Sequence, residues 1–425
     1  MKILILGGYG TFGGRLARLL ADEERLTLLV AGRSQAKAAA FCQGLAARAR
    51  TVPLAFDRDG DLETQLRAAA PALVVDASGP FQTYGDDPYR VVKACLALGI
   101  DYLDLADGAD FVAGISAFDG AARERGIYVL SGVSTCPALT AAAVRRLARP
   151  GDAVETITAG IAPSPYAGVG LNVIRAIANY AGKRVLLRDG RAAHALIDSL
   201  RFTIAPPGHV PLARRRFSLV DAPELRVLPA LWPGVQSIWI GAGPAPAALH
   251  RGLSALAWLV RLKLLPSLAP LAGLFHFATN RLGWGEHRGG MFVSITGHDA
   301  AGKSFARSWH LLAEGDDGPF TPAMGCAAIV RRALDGRRRA RAWRCAISSS
   351  KTTRRNSRPD ASLPVSATRR RRTRRPRCSS VSLAMPGSTY PSRYARCTRA
   401  KAGTPGKARR RSSAATACWR GLRAR

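Results

Sequence analysis

The chain has 425 residues, 47% of them apolar, which is enough for two or three domains with buried cores and excludes a wholly disordered or fibrous protein. The formal charge of +34 points to a nucleic-acid binder only until it is divided by position. Residues 1–336 hold 36 Lys and Arg against 28 Asp and Glu, whereas residues 337–425 hold 27 against the single acid Asp360.

The N-terminus does not read as a signal peptide. Lys2 is followed by only four apolar residues before Gly7, too few for the apolar core of such a segment. Of the eight cysteines, Cys42, Cys95, Cys136 and Cys326 lie scattered in the body and four more lie in the basic segment. None has Cys-x-x-Cys spacing, so no zinc site or redox motif is expected, and no metal. Buried free thiols in a reducing cytoplasm are the expectation.

Residues 2–6 (KILIL) form a β-branched apolar run that suits a buried parallel strand. GGYGTFGG follows, then a helix with Leu16, Leu19 and Leu20 on one face. Strands are expected at 26–32, 51–57, 71–79, 100–107 and 127–133, with helices over 35–50 and near 61–70, 88–98 and 109–125. This alternation predicts an α/β fold, a Rossmann-like doubly wound parallel sheet over residues 1–150. Beyond Gly151 the rhythm changes. Residues 154–162, 291–297 and 305–313 alternate like half-exposed strands, the last two as an antiparallel hairpin, which predicts a second α+β domain over 151–317 on a mostly antiparallel sheet. A closing helix is expected over 318–336, with Thr321 as its N-cap and Pro322 in the first turn.

No acid occurs between Glu224 and Glu286, and 246–284 is strongly apolar. Its longest charge-free run, Leu264 to Asn280, contains Pro266 and Pro270 and falls short of the ~20 residues of a membrane span. Two amphipathic helices are expected instead, either packed on the body or lying against a membrane surface or an oily ligand.

Gly8-Tyr9-Gly10-Thr11-Phe12-Gly13 fits G-x-G-x-x-G between a strand and a helix, the context in which that pattern signifies dinucleotide binding. The glycines permit the tight turn, the approach of a pyrophosphate and close helix packing, and the helix N-terminus offers free N–H groups. An NAD site places an acid about 20 residues further on, but this chain reads Ala31-Gly32-Arg33-Ser34 there. A guanidinium and a hydroxyl suit a 2′-phosphate, hence NADP.

GGYGTFG, AGRS, DASGPFQTYG (76–85), VVKACLALGIDYLDLADG (91–108) and GVSTCPALT (132–140) together resemble the NADP-binding domain of the saccharopine dehydrogenase family, in its broad bacterial branch of saccharopine dehydrogenase-like oxidoreductases. HRGGMFVSITGHDAAG and RSWHLLAEGDDGPFTPAM resemble the end of such proteins' second domain, so the resemblance spans about residues 1–336. It implies that Gly8, Gly10, Thr11, Phe12 and Gly13 hold the pyrophosphate, that Arg33 and Ser34 meet the ribose phosphate, and that Ser78, Gly79, Pro80 and Phe81 line the cofactor. Relatives often carry Gly-Glu after strand five, where this chain has Ala106-Asp107-Gly108, with a shorter carboxylate.

Ligands of open α/β sheets bind beyond the carboxyl ends of the strands. That geometry selects Asp104 and Asp107, then Ser134, Thr135 and Cys136, as candidates to manage the proton that accompanies hydride transfer, with Asp107 and Cys136 as the catalytic expectations. The predicted activity is an NADP-dependent oxidoreductase on a small or hydrophobic carbonyl, imine or enoyl compound. Arg214-Arg215-Arg216 can receive carboxylates or form a solvated loop, but the apolar, acid-free stretch better suits a lipid-like substrate. A non-catalytic cofactor-binding or membrane-associated protein is the alternative. Tyr89-x-x-x-Lys93 also matches a short-chain reductase or epimerase, though it follows the fourth strand and not the fifth. A small-molecule partner, peripheral membrane contact and a homodimer are the associations this reading admits.

Segment 337–425, with TRRRRTRRPR at 368–377, has no apolar periodicity and predicts a disordered basic tail. A shifted reading frame accounts for its abrupt composition; a phosphate-neutralising arm for nucleic acid is the alternative if the tail is genuine.

Overall fold

The computed structural model describes residues 1–168, 170–281 and 285–335. The basic segment expected to be a disordered tail lies outside the described residues, as does Gly336 at the expected end of the closing helix.

The first sheet has six parallel strands: β1 (Lys2–Leu6), β2 (Thr27–Gly32), β3 (Arg50–Ala55), β4 (Leu73–Asp76), β5 (Asp101–Asp104) and β6 (Val129–Leu130). Their order is β3-β2-β1-β4-β5-β6. A parallel sheet is covered on both faces, which is why β1 needs an unbroken apolar run rather than alternation. Ile3 and Ile5 pack with Leu16 and Leu20 on one side, while Leu4 and Leu6 pack with Val91, Val92 and Cys95 on the other. Each such burial contributes roughly 1.5–3 kcal/mol. The order reverses between β1 and β4, which opens a crevice at their carboxyl ends.

The second sheet has the order β10-β11-β12-β7-β13-β14. Its strands are β7 (Ala153–Ala162), β10 (Ser199–Ile204), β11 (Leu212–Leu219), β12 (Ser237–Ala242), β13 (Gly289–His298) and β14 (Ser304–Ala313). A separate hairpin joins β8 (Arg184–Leu186) to β9 (Ala192–His194). Every pair in the second sheet is antiparallel except β12 with β7. The chain is thus a Rossmann-like parallel sheet followed by a mixed, mostly antiparallel one. The alternation in β7 and β13 puts Ile157, Ala159, Val293 and Ile295 into one core with Val144 and Trp309.

Local boundaries differ from the sequence reading where side chains intervene. The helix expected over 35–50 is Gln35–Gln43, capped at Gly44, because alanine-rich composition does not mark its own end. The stretch 109–125 breaks into helices Ala109–Gly114 and Asp119–Glu124 around a 3-10 turn. There the Tyr89 hydroxyl donates to the Phe111 carbonyl at 2.8 Å, the group a continuous helix would offer to residue 115. In the helix Thr321–Leu334 the N-cap is Phe320, so Thr321 is not the cap but the first helical residue, and no side chain caps that end.

That last helix does not stay with the second sheet. Ala323, Cys326, Ala327 and Val330 enter the core beside Ile3, Ile5 and Leu16. Arg331 also donates to the Leu19 carbonyl and pairs with Asp22, both at 2.6 Å. Two further helices, Ala247–Arg261 and Ala272–Arg281, occupy the acid-free stretch. Among the described residues no helix is long and apolar enough to cross a membrane.

Candidate functional site

The turn after β1 is built from backbone contacts that admit no side chain. Gly7 has φ +68, and a Cβ on it would lie 2.8 Å from the Ala77 carbonyl oxygen and 2.9 Å from Ser78 Cα. The glycine turn and the segment after β4 therefore touch backbone to backbone. A Cβ on Gly8 would meet the Ile5 carbonyl oxygen at 2.8 Å, and one on Gly13 would meet the Gly7 carbonyl oxygen at 2.3 Å. Gly10 is the N-cap of the helix Thr11–Leu20, with no side-chain cap and no acid in the first turn. Thr11, Phe12 and Gly13 form that turn, whose N–H groups lack intrahelical acceptors. A cradle emptied of side chains and closed by a helix N-terminus fits the pyrophosphate of a dinucleotide.

Arg33 and Ser34 follow β2 at the edge of this cradle. The Tyr9 ring lies over Gly32, where a Cβ would come within 2.6 Å of it, and the Tyr9 hydroxyl accepts from Ser34 N at 3.1 Å. Ser34 Oγ accepts from Lys37 N, so this hydroxyl is also the cap of the next helix. Arg33 is exposed and borders a depression of about 350 Å³ with Ala55, Phe56, Asp57 and Gln65. Replacing Arg33 with alanine should weaken NADPH binding by about tenfold or more, from loss of a charge-assisted contact, and leave NADH binding unchanged. Calorimetry with both dinucleotides checks this; equal wild-type affinities would refute the assignment.

After β4, Ser78 donates to the fully buried Asp76 from its backbone N at 2.9 Å and from Oγ at 2.5 Å, and Tyr84 shares the same carboxylate. Burial raises the Asp76 pKa. Gly79 and Pro80 are half-buried at the crevice. The Phe81 ring turns away into an aromatic cluster with Tyr84 and Phe111, at centroid distances of 4.8 and 5.1 Å. Asp104, at the end of β5, is fully buried and ties loops together, accepting from Ala106 N, Ser131 Oγ and Gly132 N. It is therefore a structural tie and not a group open to a ligand. Asp107, three residues further on, is exposed to solvent on one side yet ringed by protein, which pushes its pKa up; Gln82 Nε2 donates to it at 3.0 Å.

The structure brings Cys136 to a carboxylate that sequence reasoning missed. Glu224 opens the helix Glu224–Leu231, is fully buried, and accepts from Thr140 Oγ1 at 2.7 Å. Its other oxygen, Oε2, is buried without a hydrogen-bond partner, and the Cys136 thiol lies beside the carboxylate. Burial, and then the Glu224 charge, push the Cys136 pKa well up, so the sulfur is a protonated thiol at neutral pH rather than a nucleophile. Tyr180, at the end of the helix Leu171–Tyr180, lies in electrostatic reach of both Asp107 and Cys136; burial chiefly, and then the Asp107 and Asp221 carboxylates, raise its pKa. Its helix follows β7, outside the first sheet, and no local motif marks it.

The loop leaving β7 also reaches the cradle. Arg15 of the first helix lies 3.5 Å from the Ala167 carbonyl, and a Cβ on Gly170 would sit 3.8 Å from Thr11 Oγ1. His287, His298 and His310, on or beside the β13–β14 hairpin, are spent separately: His287 on Asp316, His298 on Glu155 and Ser304, and His310 on Ser308 and Ala205 N. Among the described residues no cluster of His, Cys, Asp and Glu is placed to hold a metal. Arg215 pairs with Glu286 at 2.6 Å, so the arginine run does not converge on the crevice as a set. Tyr89 and Lys93 are likewise engaged elsewhere, on the Phe111 carbonyl and on Asp87 at 2.8 Å, which removes the short-chain reductase arrangement.

A parallel sheet that reverses order at a side-chain-free glycine cradle defines a Rossmann-type dinucleotide-binding protein. Residues 3–130 match the family model of the saccharopine dehydrogenase NADP binding domain. Among solved structures, apo saccharopine dehydrogenase (L-Glu forming) from Saccharomyces cerevisiae matches with TM-score 0.51 and 14% identity, over 79% of this chain and 91% of that one, a likeness of fold. GenD2 from gentamicin A biosynthesis, in complex with NAD, matches at TM-score 0.38 and 12% identity over 79% and 87% of the two chains. A myo-inositol dehydrogenase from Corynebacterium glutamicum matches at 0.38 and 11% over 80% and 89%. Comparison with curated protein sequences gives no match.

Proposed function

We propose that the chain is an NADP(H)-dependent oxidoreductase acting on a hydrophobic carbonyl, imine or enoyl compound. The observation that carries the reading is the glycine cradle, closed by the first helix and bordered at β2 by Arg33 in place of an acid. When bound there, NADPH supplies a hydride; the protein's own task is to place the acceptor and handle a proton.

Asp107 follows β5, Cys136 follows β6, and Tyr180 lies within electrostatic reach of both. Burial holds each toward its protonated form, and Asp107, the most acidic of the three, is the one suited to donate to an oxygen or nitrogen that gains electron density. Glu224 holds the Cys136 thiol in place and excludes it from nucleophilic chemistry. The apolar helix Ala247–Arg261 supports an oily substrate, because it abuts the segment just past Tyr180: a Cβ on Gly182 would lie 2.3 Å from the Ala257 carbonyl oxygen.

The test follows NADPH absorbance against a panel of aldehydes, ketones, imines and enoyl thioesters of increasing chain length. Turnover should rise with apolar length. Tyr180→Phe or Asp107→Asn should lower kcat by about 10²-fold while NADPH affinity holds. NADPH binding with no turnover on any class would instead favour a cofactor-binding protein without catalysis, for which the same cradle suffices.

A further inference from the structure

The helices Ala247–Arg261 and Ala272–Arg281 each have two apolar faces, and only one of each is used. Ala257, Leu268 and Ala272 pack inward on Ile174, Ala178 and Ala181 of the helix Leu171–Tyr180. Both helices thus lean on one cluster, and their outer faces point away from it. On that outer side Trp258 is 44% exposed, Leu262 59%, Leu264 68%, Leu274 61% and Phe277 61%. Scattered exposed apolar residues are ordinary, but a set this large on two consecutive helices and their joining loop is not.

The charges around the patch carry one sign. Residues 225–285 contain no Asp or Glu, while Arg251, Arg261, Lys263 and Arg281 lie on or beside the exposed faces. Arg261 sits over the Trp258 ring at 4.6 Å and Arg281 beside the Phe277 ring at 5.8 Å, so guanidinium and aromatic are presented together. Neither helix can span a bilayer. We infer that this face docks on an anionic lipid surface, with Trp258, Leu262, Leu264, Leu274 and Phe277 entering the interfacial layer and Arg251, Arg261, Lys263 and Arg281 meeting the headgroups. An aromatic body beside a cation is the composition such a boundary selects. A protein partner would be matched by mixed charges; a patch whose own segment bears only basic charges matches a negatively charged sheet. The inference is independent of the reaction proposed above.

The full-length chain is the test protein, floated with phosphatidylcholine vesicles and with vesicles carrying phosphatidylglycerol. The strongly basic segment 337–425 is present in every variant, so differences between variants report on the patch. Leu262→Ser/Leu264→Ser/Phe277→Ser should reduce partitioning to the anionic vesicles by about tenfold or more, with the melting temperature unchanged because all three side chains already face solvent. Arg261→Gln/Lys263→Gln should abolish the preference for phosphatidylglycerol that survives at salt high enough to screen the tail. Brominated lipid should quench wild-type fluorescence, and Trp258→Phe should lose a clear share of that quenching, the remainder coming from the chain's other tryptophans, even if the serine variant proves insoluble. Equal partitioning of wild type and both variants would overturn the inference and assign vesicle binding to the tail. So would a wild-type dimer that the serine variant dissociates without loss of vesicle binding, which would assign the patch to a second copy.

Discussion

Gly13→Ala should lose NADPH affinity by about 100-fold or more, the largest effect of any single-methyl change in the protein. The new Cβ would meet three backbone atoms at once: the Gly7 carbonyl oxygen at 2.3 Å, the Gly7 carbonyl carbon at 2.8 Å and Gly8 Cα at 3.0 Å. None of these can rotate away as a side chain would. Either the helix Thr11–Leu20 lifts from β1 or the turn opens, and in both cases the first-turn N–H groups leave the place where the pyrophosphate would sit. Gly14→Ala is the matched control. Its Cβ would meet the Phe41 ring edge at 3.1 Å, a side chain free to give by a few tenths of an ångström. Fluorescence titration with NADPH, alongside a melting curve for each variant, separates loss of the cradle from loss of the fold. Full affinity in Gly13→Ala would move the cofactor elsewhere.

Asp104→Ala should destabilise the chain by on the order of 3 kcal/mol, because it strands three buried donors. Asp104→Asn should cost far less. Ala106 N, Ser131 Oγ and Gly132 N all donate to Oδ1, at 2.9, 2.9 and 2.8 Å, while Oδ2 has no partner. An amide can keep its oxygen on the donors and place its NH₂ where Oδ2 stands, just as a protonated carboxyl would. Burial, opposed by those three hydrogen bonds, pushes the Asp104 pKa up to about 7. As pH climbs from about 4, the unfolded chain releases its proton while the folded chain keeps it, so stability falls until about pH 7. That slope should flatten in Asp104→Asn, and above neutral pH the amide variant should match or exceed the wild type. Denaturant unfolding across pH 4–8 measures it. A slope identical in the two chains would mean that Asp104 titrates normally.

What was legible in sequence was what is local. The strand, glycine turn and helix over residues 2–20 announce themselves, because backbone sterics force glycine at Gly8 and Gly13 wherever the chain folds this way. The position of Arg33 and Ser34 was legible for the same reason, directly after a recognisable strand. Asp104 was visible as a candidate, but its burial, which decides its role, depends on Ser131 and Gly132 some 27 residues on. Glu224 and Tyr180 carried no signal. Glu224 meets Thr140 across 84 residues, and an isolated acid before Leu225 looks like any helix start. The exposed side of 246–284 was half legible: composition gave two apolar helices, but which face turns outward depends on where Ile174 and Ala178 lie.

The helix Thr321–Leu334 sets an order on biosynthesis. The layer that covers Ile3, Ile5 and Leu16 is completed by Ala323, Cys326, Ala327 and Val330, so the first sheet emerges from the ribosome with one flank only partly covered, by the first helix, and stays so until the whole second sheet has been made. At the ~5–20 residues per second of translation, that wait lasts on the order of ten seconds or more, far longer than a helix or hairpin takes to form. The nascent dinucleotide-binding half therefore spends much of its synthesis as an apolar surface in search of cover, a state in which a chaperone has something to hold.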